Sequence, residues 1–155
     1  MQLFLYEPKI EDLWFRQEIL QDEETMSYNS AWGGTISFPR EDWAEWFDHW
    51  IIHHEGKRFY RYLQNEKKEF VGEIAYHFDA EYGGYMANVI ILARNRKKGY
   101  GTLGLQLLCA EAKKRGIAEI YDDIAIDNPG ISLFLKAGFV EQYRTDQIIL
   151  LKKRL

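Results

Sequence analysis

Val89-Ile90-Ile91-Leu92-Ala93-Arg94-Asn95-Arg96-Lys97-Lys98-Gly99-Tyr100-Gly101-Thr102 passes from an apolar run, through a basic turn with two glycines, into a helical pattern. A strand ending near Ala93 and a helix starting near Thr102 would place the turn's N–H groups and the helix N-terminus toward an anion. Gly99 and Gly101 permit close backbone approach. Arg94, Arg96, Lys97 and Lys98 supply cations around it. The pattern suits a diphosphate, with Arg96, Lys97, Lys98, Gly99, Tyr100, Gly101 and Thr102 as its binding residues. A solvated basic run in an ordinary strand-to-helix turn is the alternative. The loop is not a Walker A sequence, because no Gly-Lys-Ser/Thr follows four variable residues. Gly99 to Gly104 matches the dinucleotide string, but no acidic residue closes a βαβ unit at the expected distance.

Upstream, Leu3–Tyr6 reads as a short strand. Pro8 opens a helix to about Leu20, and residues 25–37 read as a loop around Gly33-Gly34. Pro39 opens a second helix whose Trp43, Trp46, Phe47 and Trp50 form an i, i+3, i+4, i+7 stripe. Phe59–Gln64, Glu69–Phe78 and Tyr85–Ala93 form an antiparallel meander. Downstream, Thr102–Arg115 is a helix stopped by Gly116, and Ile117–Ala125 a strand. Pro129–Lys136 is a short helix stopped by Gly138, and Phe139–Arg144 and Gln147–Lys152 pair last. The order β-α-α-β-β-β-α-β-α-β-β predicts a mixed α/β (α+β) fold, with a mostly antiparallel central sheet and helices on both faces.

The 155 residues predict one domain over 1–155, with a core that needs no disulfide staple. One cysteine, Cys109, points to a reducing compartment, and a cytoplasmic location is expected. No apolar run approaches the ~18 residues of a membrane helix. Met1-Gln2-Leu3-Phe4 lacks the features of a signal peptide. A net charge of -4 argues against a general nucleic-acid partner. The charge is uneven: residues 1–50 hold 11 acids, 3 Lys/Arg and all five tryptophans. Such a part could receive a cationic ligand, or its tryptophans could be core and its acids solvated surface.

The 96–102 loop resembles the pyrophosphate-binding motif of the GNAT superfamily of N-acetyltransferases, Gln/Arg-x-x-Gly-x-Gly/Ala, which Arg96, Gly99 and Gly101 match position for position. Asp127-Asn128-Pro129-Gly130-Ile131-Ser132-Leu133-Phe134-Leu135-Lys136-Ala137-Gly138-Phe139 resembles the family's second signature. The resemblance covers about residues 58–152. It implies acetyl-coenzyme A as cosubstrate, lying along the strand with Ile91 and Leu92 beside the thioester, and Asn128 and Phe134 at the cofactor. It also implies direct attack by a primary amine. The family's tyrosine, which protonates the departing thiolate in many members, falls on Phe134. Tyr121 or Tyr143 would then substitute, or the thiolate, from a thiol of pKa ~8.5, leaves unassisted. Restoring the hydroxyl with Phe134→Tyr is expected to be neutral or favourable.

Glu73 interrupts an apolar strand and is a candidate base. Asp122 and Asp123 are adjacent on a strand and face opposite sides, so at most one faces a given cleft, where it could bind the substrate amine or act as base. Tyr28 and Trp32, in a glycine-containing loop, are candidate substrate-binding residues. The catalytic candidates are therefore Glu73, Asp123 and Tyr143, and the substrate candidates Tyr28, Trp32 and Asp122. No metal is expected, since His49 and His53 lack a third ligand. The acceptor is a small cationic molecule or a peptide amine, and a homodimer is allowed. A non-catalytic acyl-coenzyme A-binding module and a nucleotide-binding protein are the alternatives.

Overall fold

A computed structural model describes all residues, 1–155. The strands are β1 (Phe4–Tyr6), β2 (Arg58–Gln64), β3 (Phe70–Asp79), β4 (Gly84–Ile91), β5 (Glu119–Ala125), β6 (Val140–Arg144) and β7 (Ile148–Arg154). They form one sheet in the order β1-β2-β3-β4-β5-β7-β6. Every neighbouring pair is antiparallel except β4–β5. The helices are α1 (Trp14–Gln21), α2 (Trp43–Phe47), α3 (Tyr100–Lys114) and α4 (Ile131–Lys136). The observed architecture is the mixed, mostly antiparallel one expected.

Strand alternation sorts the core into two layers. On one face Leu63, Ile74, Ile91, Ile120 and Ile124 pack under Leu105, Leu108 and Ala112 of α3 and Phe134 of α4. On the other, Tyr60, Tyr62, Ala75 and Ile90 pack under Phe15, Ile19 and Leu20 of α1, with Met26, Phe38 and Trp43.

Two local readings differ from the sequence expectation. Residues 25–32, read as loop, form a 3-10 helix that Gly33 ends at φ 106°. Short 3-10 turns carry no 3.6-residue apolar period, so periodicity does not reveal them. The stripe beginning at Trp43 continues from α2 into a π turn, Asp48–Ile52, where His53 N–H donates to Asp48 O at 2.7 Å. Trp43 is buried, and Trp46 and Trp50 pack beside it, so the stripe is core.

Phe134 belongs to the α3/α4 layer, 6% exposed and edge-to-face on Phe139 with centroids 4.9 Å apart. Phe134→Ala should cost about 3–5 kcal/mol of stability, read as a lower urea midpoint at unchanged slope.

Candidate active site

The two parallel strands β4 and β5 pair only at Tyr85–Ile120 and Met86–Tyr121, and beyond that point they splay. Leu92 N–H donates to Val71 O at 3.0 Å. Alternation along an antiparallel strand then turns the backbone groups of Val89 and Ile91 to the opposite edge, into the splay. Leu92 N–H is thus committed to β3, and Ile91 N–H is the one aimed at the gap.

The 96–102 loop begins where this edge ends. Lys97 has φ 64° and Gly99 φ 87°, both left-handed, so the chain turns sharply before α3. The first amide bond of that helix runs from Leu103 N–H to Gly99 O at 3.2 Å. The six amides of Lys97 through Thr102 have no acceptor in the protein. A β-carbon added at Gly101 would lie 3.2 Å from Leu133 Cδ1 and 3.9 Å from Ile91 Cγ1. The loop is a concave row of free N–H donors with lysines at its rim, which suits a diphosphate. Lys98 also lines a surface cavity of about 440 Å³ on the side of the β2–β3 turn, with Glu66, Lys67, Glu69 and Asn95.

Glu73 is 1% exposed and fully engaged. Arg16 Nη1 lies 3.1 Å from Oε2, Asn88 Nδ2 donates to Oε1 at 3.3 Å, and the Tyr60 hydroxyl donates to Oε2. The Arg16 guanidinium stands over Trp46 at 4.6 Å, Phe38 at 5.1 Å and Tyr60 at 5.4 Å. Burial, the largest single influence, would lower the Arg16 pKa, but the charges of Glu73 and Tyr60 and the hydrogen bonds to both together outweigh it, and the net shift is upward. A carboxylate held by an arginine, a phenol and an amide is a structural anchor before it is a base.

Asp122 and Asp123 follow the last β4–β5 pair. Asp122 stands half-buried on the α3/α4 face between Ile120 and Ile124, and Asp123 is exposed on the α1/α2 face. Loss of water around Asp122, and then the charge of Asp123, hold its carboxyl well above the usual carboxylate range. The Tyr82 hydroxyl donates to Asp123 Oδ2 at 3.2 Å and also meets Tyr143, which is 46% exposed. Burial, then the charges of Glu73 and Asp122, raise the Tyr28 hydroxyl pKa, and Tyr28 packs against the core layer under α1 and α2. Trp32 is 59% exposed.

The remaining candidates are engaged within the protein itself. Leu133 of α4 approaches Gly101, and the next residue, about 100° round the helix, is turned into the core. A hydroxyl added at Phe134 would therefore be buried against Phe139, which removes the basis for expecting Phe134→Tyr to help. Asn128 Oδ1 accepts from Gly130 N–H at 2.7 Å and so caps the turn into α4. The Tyr121 hydroxyl is bonded to Glu119 at 3.2 Å, at the closed end of the splay. Arg96 donates to Thr25 O at 2.8 Å and Glu24 O at 3.4 Å. No group of three or more His, Cys, Asp or Glu could hold a metal ion. Arg16, Asn88, Thr25 and Tyr82 were not singled out from sequence. Arg16 alone carried a signal, as the one cation within α1, Trp14–Gln21.

Two outcomes follow from this geometry. Glu73→Gln leaves the Arg16 guanidinium buried without its carboxylate and should cost about 3–5 kcal/mol in denaturant unfolding, with the Arg16→Met/Glu73→Leu double variant recovering most of it. Unchanged stability with lost turnover would instead mark Glu73 as a base. For Asp122 the folded carboxyl titrates above its unfolded value near 3.8. Wild type therefore loses stability as pH rises from that value through the folded one. Asp122→Asn should be the more stable protein at pH 7, with the advantage gone below about pH 4.

Comparison with known proteins identifies the family and the fold. The acetyltransferase (GNAT) family model matches residues 16–139. The fold is similar to that of spermidine N-acetyltransferase from Vibrio cholerae, solved with CoA and spermine, at a TM-score of 0.81 and 19% identity, over 99% of this chain and 95% of that one. It is also similar to an N-acetyltransferase from Staphylococcus aureus Mu50, at a TM-score of 0.76 and 19% identity, over 99% of each chain. No curated protein sequence matches. A family match across most of the chain, on a sheet splayed beside six unpartnered amides, makes this chain a member of the GNAT acetyltransferase family, an acetyl-CoA-dependent N-acetyltransferase.

Proposed function

We propose that the protein transfers acetyl groups to a primary amine of a small molecule carrying a second positive charge, of the polyamine kind. The single observation that carries this is the pair Asp122–Asp123 at the mouth of the splay, one carboxylate on each face. When bound, acetyl-CoA supplies the acetyl group as a thioester. The free amides of Lys97 through Thr102 hold its pyrophosphate, and Lys97 and Lys98 add charge at the rim. Ile91 N–H, aimed into the gap, polarises the thioester carbonyl. Asp122 accepts the proton of the incoming ammonium, since a carboxyl held above its usual range is a stronger base. Asp123, with Tyr82 and Tyr143, attracts the distal cation on the α1/α2 face. Phe134 carries no acidic proton, and a thiol of pKa ~8.5 leaves tolerably well without one.

The polyamine assignment has a second support in fold: the Vibrio cholerae enzyme solved with spermine has the same architecture. No helix is long and apolar enough to cross a membrane. The half-buried Cys109, its thiol pushed up by burial, fits a reducing, cytoplasmic setting.

The test is free-thiol release from acetyl-CoA across an amine panel with spermidine, a monoamine of similar length, an aminoglycoside and a peptide N-terminus. Spermidine should exceed the monoamine by at least about tenfold, and Asp123→Asn should narrow that ratio. Equal rates for both, or preference for the peptide, would contradict the reading. The cofactor part has its own test in Gly101→Val. The added side chain crowds Leu133 and fills the approach to the amide row, so acetyl-CoA binding by calorimetry should vanish while circular dichroism stays unchanged.

A further inference from the structure

Arg96 matches the first position of the loop motif, yet both arms of its guanidinium bond backbone oxygens of another segment, Thr25 O at 2.8 Å and Glu24 O at 3.4 Å. A second tie runs beside it. Ala93 N–H donates to Thr25 Oγ1 at 2.9 Å, and that hydroxyl donates to Asp22 Oδ2. Thr25 is fully buried, and Asp22 Oδ2 also accepts from Thr25 N–H at 3.1 Å. The Thr25 hydroxyl therefore bridges the two segments, accepting from the cofactor-loop side and donating to its own side. Outside this pair, Arg94 reaches Glu18 of α1 at 2.9 Å.

These bonds join segments about 70 residues apart in sequence, and each segment has a separate role. Residues 93–96 lead into the amide row. Residues 25–32 carry Tyr28, one 3-10 turn after Thr25. In a 3-10 helix residues three apart eclipse, so Tyr28 leaves the turn on the same side as Thr25, toward the end of β4. An arginine serving phosphate would keep its fork for the ligand, whereas here each arm of the fork meets a carbonyl, a fixed orientation that the point charge of a lysine does not impose.

We propose that Arg96 and Thr25 are positioning residues, a latch through which occupation of the 96–102 loop holds the acceptor-side turn 25–32, and with it Tyr28, over the splay. The latch rests on the cofactor reading above. Ordering the loop then lowers the entropy left to the turn, and acceptor and cofactor sites become coupled without a change of fold.

Hydrogen exchange with CoA as the sole probe tests it, alongside calorimetry of CoA binding. In wild type, CoA should slow exchange of amides 26–33 by about tenfold as well as protecting 97–103. Arg96→Lys keeps the charge and loses the fork, and Thr25→Val keeps the shape and loses the hydroxyl. Both should bind CoA within about threefold of wild type and protect 97–103, while the effect on 26–33 drops below about twofold. Thr25→Ser should restore it. Protection of 26–33 that persists in Arg96→Lys and Thr25→Val overturns the latch. So does an Arg96→Met variant that loses CoA affinity tenfold or more while keeping that protection, since Arg96 is then a phosphate ligand. Wild type that binds no CoA overturns the cofactor reading itself, and the latch with it.

Discussion

The ladder between β4 and β5 closes for two residue pairs and then opens, and the proposed cofactor and acceptor sites are arranged around that opening. Its closed end is fixed by Tyr121, whose ring occupies the space a β-carbon on Gly84 would take, at 2.6 Å. Its open end begins at Asp122 and Asp123. Zipping the strands further would take Asp122 out of water without a cationic partner, which a carboxylate resists. Strand separation in turn leaves the Val89 and Ile91 edge free, and α3 starts where that edge stops. A polar backbone edge and a row of unpaired amides meet there, a combination that calls for an extended ligand with both amide and phosphate groups.

A second constraint holds the acceptor side in place. The Arg16–Glu73 pair ties α1 to β3 under a cage of Phe38, Trp46 and Tyr60. A buried pair of this kind adds little net stability, but losing either partner strands a charge, so it fixes the register of the helix on the sheet. The acidic, aromatic N-terminal third thus does receive a cation through this cage, and that cation belongs to the chain itself. The acids proposed to meet an external amine are those at the splay.

The fold was legible because its signals are local and redundant. Apolar alternation located β2 to β4, Gly116 and Gly138 marked helix ends, and the motif spacing bound the two halves into one family. The sharp turn over 96–102 was legible for the same reason, since glycine positions report backbone need. Side-chain partnerships were not. Glu73 read as a lone acid in a strand because Arg16 and Tyr60 approach it from segments 57 and 13 residues away. Phe134 was placed by motif spacing alone, and the helix phase that turns it to the core depends on how Leu133 meets Gly101. The role of Arg96 could not be read from its motif position, because Thr25 and Glu24 reach it from a 3-10 turn with no periodic signature.

On the reading proposed, the splayed edge and the amide row together form the cofactor site. Amide-resolved NMR during titration with CoA tests this directly. The largest shifts should fall on Lys97 through Thr102 and on Val89 and Ile91, with small ones at the β2–β3 turn. Shifts concentrated instead on Glu66, Lys67 and Glu69, around the cavity on the far side of the loop, would contradict it.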